Sequence, residues 1–169
     1  AHAVMQTEDY LQGKDGITLV LNGDHPLFTK ETLQSLVENH LQKEAAATIL
    51  TANLADPTGY GRVIRRSDGS VSRIVEHKDA NEKERAVHEI NTGTYCFHNR
   101  KLFEALKLVN NDNAQGEYYL PDVISILQEQ GEIIAASMMT DEKEAMGVND
   151  RVQLAEAETY LQQRIIKKH

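Results

Sequence analysis

What most constrains this chain is an alternation. Short apolar runs of strand length take turns with segments whose apolar residues recur at helical spacing. Ile17-Thr18-Leu19-Val20-Leu21 is a strand-length run of the buried kind, and it stops abruptly at Asn22-Gly23-Asp24. Thr29 then caps a helix to about Lys43, with Leu33, Leu36, Val37, His40 and Leu41 spaced along one face. Residues 45–54, 90–97 and 133–139 read as further strands, and 101–109 and 121–130 as helices, with Pro121 suited to a first helical turn. Residues 1–12 read as a helix broken by Gly13 and Gly16. Asn149 or Asp150 caps a last helix whose apolar positions are Val152, Leu154, Ala155, Leu161 and Ile165.

Strands alternating with helices predict an α/β layered domain around a mostly parallel sheet. One hairpin makes the sheet mixed: Ser67-Asp68-Gly69 separates the β-prone runs Arg62–Arg65 and Val71–Val75. In open sheets of this kind ligands sit beyond the carboxyl ends of the strands. Asp24, directly after a strand, is therefore placed where a ligand would be.

Composition narrows the function. Lys and Arg number 18 against 26 Asp and Glu, a net charge of −8, which repels a phosphate backbone and argues against a general nucleic-acid binder. The single cysteine, Cys96, excludes an internal disulfide and a multi-cysteine zinc site. It reads as a small buried strand residue. No apolar run is long enough for a membrane span, and no signal-peptide core is visible, so a reducing, cytoplasmic setting is expected.

Six segments carry polar residues in patterns that admit chemistry, each with a plainer reading beside it. In Gly23-Asp24-His25-Pro26-Leu27 the carboxylate either opens a turn or holds a hard cation such as Mg²⁺. Asp56-Pro57-Thr58-Gly59-Tyr60-Gly61-Arg62 is either a plain turn or a loop whose N–H groups face an anion or a sugar hydroxyl. Glu76-His77-Lys78-Asp79 is either a solvated strand end or a place where Glu76 accepts from sugar hydroxyls. Asn91, within Glu89-Ile90-Asn91-Thr92-Gly93, either satisfies nearby backbone or recognises an amide or hydroxyl ligand. The amide-rich run from Asn110 to Asp122 is either two helix caps joined by a turn or part of a site. Asn149, in Gly147-Val148-Asn149-Asp150-Arg151, is either a helix cap or a carbonyl donor to the same cation as Asp24. No Ser or Cys occupies a nucleophile elbow, so nothing supports covalent catalysis.

Taken in order, GDHPL, PTGYGR, IVEHKD, EINTG, NNDNAQGEYYLPD and GVNDR closely resemble one family, the bacterial bifunctional N-acetylglucosamine-1-phosphate uridyltransferase / glucosamine-1-phosphate acetyltransferase. The likeness spans the whole chain. It implies a Rossmann-like nucleotide-diphospho-sugar transferase fold and an enzyme that makes UDP-N-acetylglucosamine and pyrophosphate from UTP and N-acetylglucosamine 1-phosphate, for peptidoglycan and lipopolysaccharide precursors. By resemblance Asp24 and Asn149 are the Mg²⁺ ligands and catalytic centre. Gly61, Glu76 and Asn91 contact the N-acetylglucosamine part, Tyr119 lies beside the sugar, and Asn22 and Gly23 lie near the ribose.

The resemblance also implies departures. Residues 1–148 correspond to part of the nucleotidyltransferase domain and 149–169 to a helix leading towards the family's β-helix acetyltransferase domain, through which its members trimerise. The chain starts at Ala1 without the family's Gly-rich phosphate loop and uracil-recognition segment, so weak or absent turnover is expected of the chain alone. Pro121 stands where the family commonly has a Thr near the sugar, and Pro offers neither hydroxyl nor N–H. Rival readings are a glucose-1-phosphate uridylyl- or thymidylyltransferase relative, and a non-catalytic sugar-nucleotide-binding module.

Overall fold

A computed structural model of the chain describes residues 1–110 and 118–167. Among them, six strands form one sheet: β1 Ile17–Val20, β2 Ala47–Asn53, β3 Arg62–Arg65, β4 Val71–Val75, β5 Glu89–His98 and β6 Ile134–Met138. The order is β4-β3-β5-β2-β6, with β1 paired to β5 off that path. The helices are α1 His2–Met5, α2 Glu8–Leu11, α3 Lys30–Gln42, α4 Glu82–Arg85, α5 Asn99–Leu106, α6 Leu120–Glu129 and α7 Arg151–Ile166.

The ten-residue β5 organises the sheet, and its residues alternate between two cores. Tyr95 and Phe97 join Ile49, Leu102, Phe103, Val123, Ile124 and Leu127 under α5 and α6 on one face. Cys96 joins Leu36, Leu50 and Ala52 under α3 on the other. The period-two alternation of a strand thus fills two helical layers from one sequence. Burial raises the Cys96 thiol pKa to about 11, so the cysteine behaves as a small core residue, as its alternation with Tyr95 and Phe97 predicts. His40, buried on α3, shares a 2.9 Å hydrogen bond with Thr48 of β2, and burial lowers its pKa.

The layered, mixed α/β sheet is as expected, but its balance is not. Among the described residues only β2 and β6 pair in parallel; β5 runs antiparallel to β1, β2 and β3, and the hairpin β3–β4 is antiparallel too. The expectation of a mostly parallel sheet fails because the longest, most connected strand runs against its neighbours. The 67–69 turn forms as predicted, with Gly69 at φ 82° and Asp68 Oδ1 accepting from the Ser70 N–H at 2.9 Å.

Other expectations need correction. The 1–12 helix is two short helices, because the Thr7 hydroxyl turns back to the Val4 carbonyl between them at 2.7 Å. β1 is not buried: it pairs only with β5 among the described residues, and Ile17 and Leu21 are exposed. Leu41 is exposed on α3 as well. On α7 only Ala157 is buried, while Val152, Leu154, Leu161 and Ile165 are exposed. That helix is fastened through polar contacts instead, the Tyr160 hydroxyl to Asp141 and Arg164 Nη1 to the Leu27 carbonyl at 2.9 Å. No described helix is long and apolar enough to cross a membrane.

Candidate functional site

The site begins with a fault in the ladder. Along β2 and β5, Ile49 faces Tyr95 but Thr51 faces Asn91, so two steps of β2 oppose four of β5. The surplus is taken up by a bulge at residues 92–94. Gly93 sits there at φ 79°, a backbone state that a side chain resists. The buried Thr92 hydroxyl donates to the Leu50 carbonyl at 2.7 Å across the irregularity. Because β2 occupies one edge of β5, β1 and β3 share the other, β1 opposite residues 95–98 and β3 opposite Ile90. The space between those two strands, over the bulge, is a cleft of about 460 Å³.

Asn22, Gly61, Glu76 and Asn91 all line this cleft, together with Gly93, Tyr95, His25 and the start of α6. Four of the predicted site residues, from four separate segments, therefore meet in one place. Neighbouring side chains approach both glycines at the junction closely. A methyl group at Gly93 would lie 2.5 Å from Asn22 Nδ2, and one at Gly61 would lie 3.2 Å from Glu76 Oε1. The Asn91 N–H donates to the Gly61 carbonyl at 2.9 Å, which carries the 56–62 loop against β5.

The Asn91 amide is held from both ends. Its Oδ1 accepts from the Gly93 N–H at 2.9 Å and its Nδ2 donates to the Tyr95 hydroxyl at 2.8 Å. The local-satisfaction reading of this Asn is thus correct. One N–H and one lone pair of the amide remain, so the ligand reading survives beside it. Burial, reinforced by the Glu76 charge, lifts the Tyr95 phenol pKa to about 12 against the opposing Asn91 hydrogen bond. The phenol is protonated at any working pH.

The 56–62 loop is the turn its residues suggest: Asp56 Oδ1 accepts from the Thr58 N–H at 3.0 Å, and Gly59 takes φ 85°. Hydrogen bonds from Thr58 hold the Asp56 carboxyl below the usual range. Arg62, 1% exposed, donates to the Tyr60 carbonyl and, at 3.2 Å, to His77 Nδ1. An arginine has only donors, so His77 accepts there and carries its proton on Nε2. This contact braces the Gly61 loop against the Glu76 end of β4.

Asn22, Gly23 and Asp24 follow one another out of β1, and the His25 N–H closes that turn on the Asn22 carbonyl at 3.4 Å. The Asp24 side chain is 47% exposed; its Oδ1 meets His25 Nδ1 at 2.9 Å. His25 is tucked against Phe28 with rings 5.5 Å apart and 5° from parallel. Asn149 is brought here from the far end of the chain, because the Val148 N–H donates to the Asp24 carbonyl at 2.8 Å. A methyl group at Gly147 would stand 3.5 Å from His25 Nε2 and 3.7 Å from Asn149 Nδ2. The cap of α7 is Asp150, whose Oδ1 accepts from the Gln153 N–H at 2.8 Å; Asn149 uses only its backbone N–H, to Gln153 Oε1 at 2.7 Å. The Asn149 side chain is left free of the capping role that its sequence position allows.

Tyr119 is the N-cap residue of α6 and half-buried. Leu120 and Pro121 line the cleft; Tyr119 precedes them in the chain and, like Gly23, Asp24 and Asn149, is not part of the lining itself. Residues 111–117 of the amide-rich run lie outside the described residues. Among the described residues no group of three or more His, Cys, Asp or Glu side chains could hold a metal unaided. Asp24 and Asn149 offer one carboxylate and one amide oxygen, hard donors of the type Mg²⁺ accepts when substrate phosphates and water complete its shell. Sequence reasoning missed His25 and Tyr95 as members of the site. The visible signal for Tyr95 was Asn-Thr-Gly inside an apolar strand, which marks a bulge that turns neighbouring side chains together.

The chain is similar to known proteins in sequence and in fold. The sequence model of the family described as nucleotidyl transferase matches residues 1–147. Proteins described as the bifunctional protein GlmU match over the full chain, with 60% identity in Geobacillus sp. (strain WCH70) and 56% in Bacillus subtilis (strain 168). The chain spans 37% of the length of each of these relatives. A solved structure described as a glucose-1-phosphate thymidylyltransferase from Bacillus anthracis superposes with a TM-score of 0.69 over 95% of this chain and 59% of its own, at 22% identity. A CMP:2-keto-3-deoxy-manno-octonic acid synthetase complexed with CTP gives 0.67 over 96% of this chain and 67% of its own, at 13% identity. At those identities the two structures speak for the fold alone.

Proposed function

Since the chain belongs to the nucleotidyl transferase family, we propose that it provides much of the active site of an enzyme that joins UTP and N-acetylglucosamine 1-phosphate. The products are UDP-N-acetylglucosamine and pyrophosphate. The observation that carries this reading is the convergence of Asn22, Gly61, Glu76 and Asn91 on one cleft, with Asp24 and Asn149 tied together at its rim. Identity of 60% over the whole of this chain to part of a bifunctional protein GlmU supports the same assignment.

The chemistry suits the residues. An oxygen of the sugar phosphate attacks the α-phosphorus of UTP. A new phosphorus–oxygen bond forms, the bond to the bridging oxygen of the β-phosphate breaks, and pyrophosphate leaves with its charge. A phosphate monoester is already an anion near neutral pH, its second pKa being about 6, so no residue need remove a proton. With no proton to remove and no covalent intermediate to form, the reaction can run by positioning and charge. Asp24 and Asn149 would hold a divalent cation, Mg²⁺ by donor chemistry, and when bound it offsets the negative charge of the two substrates. Glu76 and the Gly61 loop supply acceptors and a close backbone for sugar hydroxyls, Asn91 an amide for an amide. The Asn22-Gly23 turn stands beside the ribose and Tyr119 behind the sugar. We assign the reaction to a cytoplasmic supply of cell-wall amino sugar, in a protein that trimerises through a β-helix half.

Calorimetric titration of the chain with N-acetylglucosamine 1-phosphate and with glucose 1-phosphate, each with Mg²⁺, tests the sugar assignment. Tighter binding of the acetylated sugar is expected. Equal or reversed affinity would favour a glucose-1-phosphate enzyme, and no binding of either would sink the reading of the cleft.

A further inference from the structure

Tyr95 has an unusual position. It is 2% exposed and packs its ring 5.6 Å from Phe97 in the α5–α6 core, yet it lines the cleft, and its hydroxyl meets the side chain of Asn91, another residue of the cleft lining. Asn91 and Tyr95 are four residues apart on one strand, a separation of about 13 Å in a regular one. The bulge at Gly93, together with the length of the tyrosine, brings the amide and the phenol to 2.8 Å.

The contact fixes what the amide can offer. The Gly93 N–H must face an acceptor, so Oδ1 points to it and Nδ2 is directed at the phenol. The phenol oxygen accepts that N–H, and among the described residues its own proton has no acceptor. A buried O–H donor left unmatched is costly, and a ligand oxygen in the cleft removes that cost. The lining of the same cleft includes the apolar residues Val4, Val20, Leu120 and Pro121. An exposed carbonyl oxygen carried next to a methyl group meets both requirements; a bare hydroxyl meets only the first.

We propose that Tyr95 is a specificity-determining residue for the N-acetyl group of the sugar. Its hydroxyl donates to the acetyl carbonyl oxygen while holding the Asn91 amide in the orientation that keeps one N–H for the same ligand, and the apolar wall takes the methyl. This rests on the proposed sugar-phosphate reading of the cleft.

The test is Tyr95→Phe, which keeps the ring and its packing and deletes one oxygen. Calorimetry with N-acetylglucosamine 1-phosphate and glucose 1-phosphate gives the discrimination ratio, and a thermal melt runs alongside. The expected result is about tenfold weaker binding of the acetylated sugar, the worth of one hydrogen bond, with glucose 1-phosphate unchanged. Asn91→Asp is the second variant. Its carboxylate still accepts from Gly93 and would consume the phenol proton, so the same loss of discrimination is expected with Tyr95 untouched. Unchanged discrimination in both variants, or an equal loss for both sugars, overturns the proposal, since a purely structural hydroxyl would move the melt and not the ratio. Failure of the unmodified chain to bind either sugar phosphate overturns the underlying reading of the cleft instead, and this inference with it.

Discussion

The Asn91 wall of the cleft and the Asp24 turn at its rim are neighbours held in opposite ways. Around Asn91 the polar groups are closed on one another within a few residues of β5: the amide between Gly93 and Tyr95, Thr92 on Leu50, and the backbone on Gly61. Around Asp24 the carboxylate is half-exposed, its one side-chain partner is the adjacent His25, and a single backbone hydrogen bond brings in the segment bearing Asn149. The first region is suited to a neutral, shaped group and gains from rigidity, since little entropy remains to be lost on binding. The second is suited to charge, which acts over distance and asks less of geometry. On the proposed reading, a site that reads an amide and tolerates several phosphate oxygens benefits from having both.

The largest effect should come from breaking the rigid region at its hinge. Gly93→Ala places a side chain at φ 79° and a methyl group 2.5 Å from Asn22 Nδ2. The left-handed backbone alone costs about 1–2 kcal/mol. Displacement of Asn22 and of the Asn91 amide adds to it, so a lower melting temperature is expected with more than roughly tenfold weaker binding of N-acetylglucosamine 1-phosphate. A variant that melts like the parent and binds normally would show that the bulge does not set the site.

A smaller and differently shaped effect is expected at the open region. Asp24→Asn removes an exposed charge that supports little of the fold, so stability should stay within about 0.5 kcal/mol. Cation affinity should fall at least roughly tenfold, the loss that even an outer-shell partner produces in metal sites. A Mn²⁺ titration followed by electron paramagnetic resonance, with UDP-N-acetylglucosamine present, reads this directly. Unaltered Mn²⁺ affinity would remove Asp24 from the metal assignment.

The two regions also differed in how far the sequence disclosed them. The place of Asp24 was legible because the apolar run stops just before it, which puts the carboxylate beyond a strand end, and the hairpin was legible because Asp-Gly turns are chemically specified. The Thr29 cap and the Pro121 start of α6 were readable for the same local reason. Strand direction was not, since an apolar run looks the same whichever way its neighbour points, and β5 reversed the expected balance. Nor was the meeting of Asn91 with Tyr95, which depends on a register shift between two distant strands. The capping box of α4, Asn81 with Glu84, went unread although both residues fit the pattern, because no apolar run follows them to announce a helix. On α7 the apolar spacing misled: those positions face away from the described core, and polar anchors hold the helix.

The smallest expected effect separates fold from function within the open region itself. Asp150 caps α7 next to Asn149, so Asp150→Ala should cost about 1 kcal/mol, the usual worth of a side-chain cap. Asn149 meets the helix only through its backbone N–H, to Gln153, and its position beside Asp24 comes from Val148. Loss of the cap should therefore leave Mn²⁺ affinity unchanged while the melting temperature drops by a few degrees, about 2–8 °C per kcal/mol across domains of roughly this size. If the affinity falls together with the melt, Asn149 has been drawn into the vacant capping role, as its own side-chain chemistry permits. The Asp24 region would then be less independent of the fold than its exposure indicates, and the contrast with the Asn91 wall would narrow to one of degree.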